Sequence, residues 1–209
     1  MTYRPQLAPR AARLAVILAT ASVLAAGAAR AAEEASFERV FPSVYKDLLF
    51  NAKSAFNGKR YDEAFPLMKK AACAGDKESQ WMLGHMYLLG QGVERDDLAG
   101  YAWIKAAAEF NSAEYRGTVR RIEDAIDPKQ LPAVQAEART YIDAYGLRAT
   151  HMSCNRAASQ HGHIMDCIVC IPRYDGQLAL LRQCKADATA QAAGSSAPAD
   201  SQAPAEEKP

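Results

Sequence analysis

Residues 64–78, AFPLMKKAACAGDKE, are echoed by residues 100–114, GYAWIKAAAEFNSAE. At a spacing of 36, Ala64 meets Gly100, Ala71 meets Ala107, Ala72 meets Ala108 and Glu78 meets Glu114. A spacing of 35, which superposes Lys70 on Lys105, fits almost as well. Either period belongs to stacked helical hairpins, each burying its apolar face only against its neighbours. A two-layer enzyme fold would not give such a period.

Helical periodicity fills both halves of the repeat. From Pro42 to Asn57, Val44, Leu48, Ala52 and Ala55 recur at three- and four-residue steps, with Asn57-Gly58 as the C-terminal cap. Helices are predicted over 61–74, ended by Gly75 and carrying the awkward Pro66, over 77–89, and from Asp96 or Asp97 to Phe110. A third pair is expected over 112–126 and from Asp127-Pro128 to Tyr145. Its second helix presents Leu131, Val134, Ala138, Tyr141, Ile142 and Tyr145 on one face, and Gly146 stops it.

The corner Gly90-Gln91-Gly92 has no preceding strand, third glycine or Lys-Ser pair to make it a phosphate loop. It is expected to turn the chain between antiparallel helices with positive φ, while Gly84 permits close helix approach. The stretch SQWMLGHMYLLGQGVERDDLAGYAWIKAA resembles a Sel-one-like repeat, a relative of the tetratricopeptide repeat. Leu83-Gly84, Tyr87, Gly90, Gly92-Val93, Asp96 and Trp103 stand at the family's positions, with Gly100, Ala107 and Ala108 as the small residues of the second helix. Ser79 replaces the first alanine and Asn111 the closing glycine. The resemblance is clearest over 61–114, favours the 36-residue register, and implies a short α-solenoid that binds proteins.

The ends differ in kind. Arg4, Arg10 and Arg13 precede the uncharged run LAVILATASVLAAGAA, and Ala29 and Ala31 give an A-x-A site, so residues 1–31 are expected to be a secretory signal, with an uncleaved anchor as the alternative. Cleavage would remove four arginines and no acid, leaving 21 bases against 24 acids, a net charge of −3. No basic patch remains to hold nucleic acid or an anionic membrane surface, and no integral membrane segment is expected after cleavage. Residues 185–209 have almost no large apolar side chains and are expected to be a disordered tail. The organisation expected is a helical repeat domain over 40–146, a cysteine-rich α+β module over 147–184, and the tail.

Two chemical patterns stand in the sequence. Ser43-Val44-Tyr45-Lys46 matches the S-x-x-K nucleophile motif, but S-D-N and K-T-G are absent, and Ser43 is expected to cap a helix. Cysteine-rich relatives have been linked to β-lactam binding, which keeps a cell-wall or β-lactam-related enzyme or binder as an alternative on resemblance. Cys154, Cys167, Cys170 and Cys184 with His151, His161 and His163 could hold zinc, but in an exported chain they are expected to form two disulfides.

Asp175-Gly176 between apolar runs predicts a hairpin in which Tyr174 faces Gln177 and Cys167 faces Cys184. Cys154, on a short helix over 151–160, is then left to reach Cys170, and Cys73 remains a free buried thiol. Pro172 argues against that register, since it has no donor to give.

The fold class expected is mainly α: a short solenoid of antiparallel hairpins plus a small disulfide-linked helix and β-hairpin module. The function expected is a non-enzymatic adaptor, periplasmic or secreted from a bacterium, that needs no cofactor or metal and binds another protein. Its groove is expected at Met82, Met86 and Leu89, with their repeat counterparts Phe50 and Ile122. Burial of the methionine stripe in the core is the competing expectation.

Overall fold

The computed structural model describes residues 36–157 and 167–184. The expected signal (1–31) and tail (185–209) lie outside them. The helices are α1 (Pro42–Asn57), α2 (Tyr61–Ala74), α3 (Lys77–Leu89), α4 (Asp97–Ala107), α5 (Ala113–Ala125), α6 (Leu131–Tyr145) and the short α7 (Leu147–Thr150). The strands are β1 (Phe37–Val40), β2 (Ser153–Ala157), β3 (Cys167–Ile171), β4 (Tyr174–Asp175) and β5 (Leu178–Arg182).

Local chemistry accounts for most helix ends. Pro42 opens α1, where a fixed φ and a missing N–H do no harm, so Ser43 sits inside the helix instead of capping it. The buried stripe of α1 is Tyr45, Leu48, Ala52 and Ala55, and Val44, expected inside, is exposed. The left-handed residue after α1 is Lys59 rather than Gly58. Asp76 caps α3 by accepting the Ser79 N–H at 2.8 Å and the Ser79 hydroxyl at 2.6 Å. Asp96 caps α4 through the Ala99 N–H at 2.9 Å. Asp127 holds a turn, accepting the Lys129 N–H at 2.8 Å, and α6 begins only at Leu131.

The corner conformation follows from glycine. Gly90 and Gly92 have φ of +64° and +69°, and a β-carbon on Gly92 would overlap the Tyr61 carbonyl at the start of α2. The corner therefore packs on the preceding hairpin. Where α3 crosses α4, a β-carbon on Gly84 would lie 2.5 Å from Ile104 Cγ1 and 2.7 Å from the Gly100 carbonyl oxygen. The two helices touch backbone to backbone.

Successive helices α1 to α4 pack in sequence order, the short connections making them antiparallel neighbours. The third pair differs from expectation: α5 and α6 make little contact, and α6 lies against α4. The cause is apolar area. α5 buries only Tyr115, Thr118 and Val119, whereas Val134, Ala138 and Tyr141 of α6 join a cluster with Tyr101, Ala102 and Ile104 of α4. A larger cluster holds Ala64, Met68, Leu83, Met86 and Trp103.

The β elements depart furthest from expectation. Residues 153–157 form a strand, not part of a helix over 151–160, and β2 pairs antiparallel with β3, placing Cys154 opposite Cys170. The second sheet has the order β1-β5-β4, with Phe37 opposite Arg182 and Val40 opposite Ala179. Asp175 faces Leu178, so the turn residues are Gly176 and Gln177, one position later than expected. Gly176 has φ +59° and Gln177 does not, which suits a turn needing left-handed backbone only at its first central residue. Pro172, unable to donate to a ladder, falls between β3 and the hairpin, so β3 does not pair with β5.

The disulfides follow. Cys154 is joined to Cys170, and Cys184 is joined to Cys73 rather than to Cys167, so Cys73 is not a free thiol. Because β5 is taken up by β1 and β4, Cys184 is carried over α2. Val40, Tyr45, Ala74, Met152, Ala179 and Leu181 form a core shared between the first helical hairpin and this sheet.

Candidate binding groove

On α2, Phe65, Lys69 and Cys73 are four residues apart and form one stripe. Facing them on α6 are Tyr141, Ala144 and Tyr145, with Tyr87 of α3 and Trp103 of α4 between. Two adjacent cavities, of about 210 and 690 Å³, share Lys69, Tyr87 and Tyr141 in their linings and together make up the trough. Its floor is aromatic. Phe65 meets Tyr87 edge-on at 5.4 Å and Trp103 meets Tyr141 edge-on at 5.3 Å, while Trp103 stacks on Tyr145 at 5.1 Å.

The two ends of the trough differ. One is the repeat corner, with Val93, Glu94, Asp96 and the Arg95–Asp97 fork at 2.8 and 3.0 Å. The other is walled by the Cys73–Cys184 bridge, with Cys184 Sγ 3.5 Å from the Lys69 carbonyl oxygen. Beyond the bridge lies a third cavity of about 800 Å³, lined by Arg148, His151, Arg182, Glu109 and Asp143.

The walls are held by buried polar braces that the sequence did not advertise. Lys77 Nζ, fully buried, donates to Glu109 Oε2 at 2.8 Å, Gln80 Oε1 at 3.0 Å and the Ala106 carbonyl at 3.0 Å. Burial lowers its pKa, opposed by the Glu109 carboxylate. Gln80 Nε2 donates to the carbonyls of Ala72 at 3.0 Å and Tyr145 at 2.8 Å, tying α3 to both groove walls. Glu123 accepts from Lys105 Nζ at 2.6 Å, Tyr101 Oη at 2.7 Å and Gln135 Nε2 at 3.1 Å. Burial pushes the Glu123 carboxyl up, but these bonds and the Lys105 charge carry it below its ordinary value.

The residues expected to form a groove do not form one surface. Met86 is completely buried and Met82 packs against the same cluster, because α3 is sandwiched between α2 and α4. Ile122 lies half-buried against the α4–α6 cluster. Only Phe50 and Leu89 stand free, at 72% and 64% exposure. The repeat-pattern residues sit differently: Leu83, Gly84, Gly100, Ala107 and Trp103 are buried, Ala108 is half-buried, and Tyr87, Val93, Asp96 and Trp103 line the trough. The aromatic pattern Phe65, Tyr87, Trp103, Tyr141, Tyr145 was the available signal.

Ser43 lies in the first turn of α1. Of the zinc candidates, Cys154, Cys170 and Cys184 are in disulfides, and His161 and His163 lie outside the described residues. Among the described residues no group of three or more His, Cys, Asp and Glu side chains could hold a metal ion. Among the same residues no helix is long and apolar enough to cross a membrane.

No protein-family model matches the chain, and no curated protein does. Among solved structures the chain is similar to the crystal structure of a protective antigen present in uropathogenic Escherichia coli strains, displaying an SLR fold. Identity is 25% and the TM-score 0.42, over 54% of this chain and 26% of that one. The chain thus spans about a quarter of that protein's length.

Proposed function

We propose that this chain is an exported, disulfide-stapled helical-repeat adaptor of the bacterial periplasm or envelope, which holds a segment of another protein in the trough between α2 and α6. The observation that carries the reading is the aromatic lining. Phe65, Tyr87 and Tyr141, each half-buried, present ring surface at low rotamer cost, the tyrosines with polar tips, over a floor formed by the buried pair Trp103 and Tyr145, and such rings dominate recognition surfaces. Export is supported by the signal-like N-terminal sequence and by two disulfides, which persist in oxidising compartments.

The test is capture in place. A photoreactive benzophenone amino acid at Thr140, on the groove wall, is expected to cross-link a partner in the periplasm of the producing bacterium. The double variant Lys69→Glu, Glu94→Lys, which reverses two charges of the trough lining without touching its packed rings, is expected to lose that adduct while keeping its melting temperature within a few degrees. Equal capture by the variant would remove the groove as the binding site.

A further inference from the structure

We infer that the cavity of about 800 Å³ beyond the Cys73–Cys184 bridge is a second binding site, and that it takes the carboxylate of a small organic acid or of a peptide's C-terminus. The inference does not rest on the trough being a binding site. The end of α6, the short α7 and strand β5 contribute Asp143, Arg148 and Arg182 to this cavity. Its volume falls within the range of about 300–1,000 Å³ usual for small-ligand sites.

Arg182 is held in place before any ligand arrives. It stands on β5 opposite Phe37 of β1, its guanidinium carbon is 5.5 Å from the Phe37 ring centroid, and Nη1 donates to the Ala149 carbonyl at 3.0 Å. The Phe37 ring stacks in turn on His151, another residue of the cavity wall, at 5.6 Å. An ordinary surface arginine swings its donors into water. Here Nε is shut off from solvent with no partner among the described residues, and leaving a donor of a charged group in that state costs free energy. The fold bears that cost and keeps the guanidinium at the cavity wall, with Nη2 not engaged by any acceptor among the described residues.

Charge decides what the cavity attracts. The Glu109 carboxylate is already engaged, its Oε2 accepting from buried Lys77 Nζ at 2.8 Å and from the Leu147 N–H at 2.9 Å. Gly146 permits that approach, since a β-carbon there would lie 2.7 Å from Oε2 and 2.8 Å from Oε1. With Glu109 and Lys77 cancelling each other, two guanidiniums, Arg148 and Arg182, stand against one carboxylate, Asp143. The surplus is a single positive charge. A carboxylate brings one negative charge and two oxygens that match a guanidinium's donors. A phosphate dianion brings a second charge, which Asp143 repels. Ile142 and Ala149 add apolar lining for an aliphatic group carried beside the carboxylate.

Calorimetric titration of the full, disulfide-bonded chain tests this with four probes: isovalerate, acetyl-glycyl-leucine, the C-terminal amide of that peptide, and inorganic phosphate. Saturable binding of isovalerate or of the acetyl dipeptide is expected, and the tighter of the two identifies the source of the carboxylate. The amide and phosphate are expected to bind more weakly than either. Arg148→Gln, at an exposed position, and Arg182→Lys, which keeps the charge but loses the planar donors, should each weaken the acid by about tenfold or more, with the melting temperature held within a few degrees. Lys69→Glu, Glu94→Lys, in the trough, should leave acid affinity unchanged. Saturable binding of neither acid overturns the assignment, as does an amide that binds as well as the acid or an Arg148→Gln protein of parental affinity. Tighter binding of phosphate would give the site to a phosphoryl group, and loss of acid affinity in the trough variant would move the acid to the trough; either result overturns it too.

Discussion

Cys184, two residues past the end of β5, is bonded to Cys73 in the last turn of α2, with the two Cα atoms 5.2 Å apart. The bridge closes a sequence separation of 111 residues, against 16 for Cys154–Cys170. On chain entropy the long loop stabilises by about 4–5 kcal/mol and the short one by about 3. Cys184→Ser is therefore expected to lower the urea midpoint more than Cys170→Ser, and non-reducing peptide maps should show 73–184 and 154–170 linkages. A 167–184 linkage would contradict the fold around β5.

Lys77 is buried, and among the described residues Glu109 is its only carboxylate partner within hydrogen-bonding distance. Glu109→Gln leaves an uncompensated buried ammonium and should cost about 3–5 kcal/mol in chemical denaturation. Lys77→Met with Glu109→Gln, which removes both charges, should recover much of the loss. A Glu109→Gln protein as stable as the parent would show that the pair is not closed in solution.

Two glycine substitutions should move stability in opposite directions. Gly117, inside α5, has open space where a β-carbon would go, so Gly117→Ala should stabilise by about 0.8–1 kcal/mol. Gly84→Ala forces α3 away from Gly100 and Ile104 and should destabilise by at least 1–3 kcal/mol, as overpacking does. Thermal melts of the two variants read both signs.

Glu123 gives a pH dependence. Its folded pKa is depressed, so it contributes stability above the unfolded carboxylate value of 4.5, and that contribution is lost as pH falls through the folded pKa. The acid limb of the stability profile below about pH 4.5 should flatten in Glu123→Gln, with neutral-pH stability reduced. An unchanged slope would mean Lys105 and Tyr101 do not hold the carboxylate.

Met86 settles the two expectations for the α3 stripe. Met86→Glu places a charge at a site with no solvent access and should unfold the repeat at 37 °C. A folded variant with only partner binding altered would restore the methionine face as a recognition surface.

The repeat was legible in the sequence because its determinants are local. Positive φ at Gly90 and Gly92, the Asp96 cap and the buried stripes of α2 and α4 are each fixed by residues within a turn or two of one another. The aromatic trough was half legible: Phe65, Tyr87, Trp103, Tyr141 and Tyr145 are visible as residues, but only the packing of α6 on α4 brings Tyr141 and Tyr145 opposite α2. What tertiary structure alone decided is the C-terminal pairing. The hairpin signal at Asp175-Gly176 is as strong for one register as for its neighbour, and nothing near Phe37–Val40 announces that β5 will pair with it. Lys77 likewise looks like a solvated helix-start lysine until Glu109 and α4 close over it. Backbone conformation is a property of a residue and its neighbours, whereas a strand's partner, a cysteine's partner and a charge's burial depend on segments brought together from far along the chain.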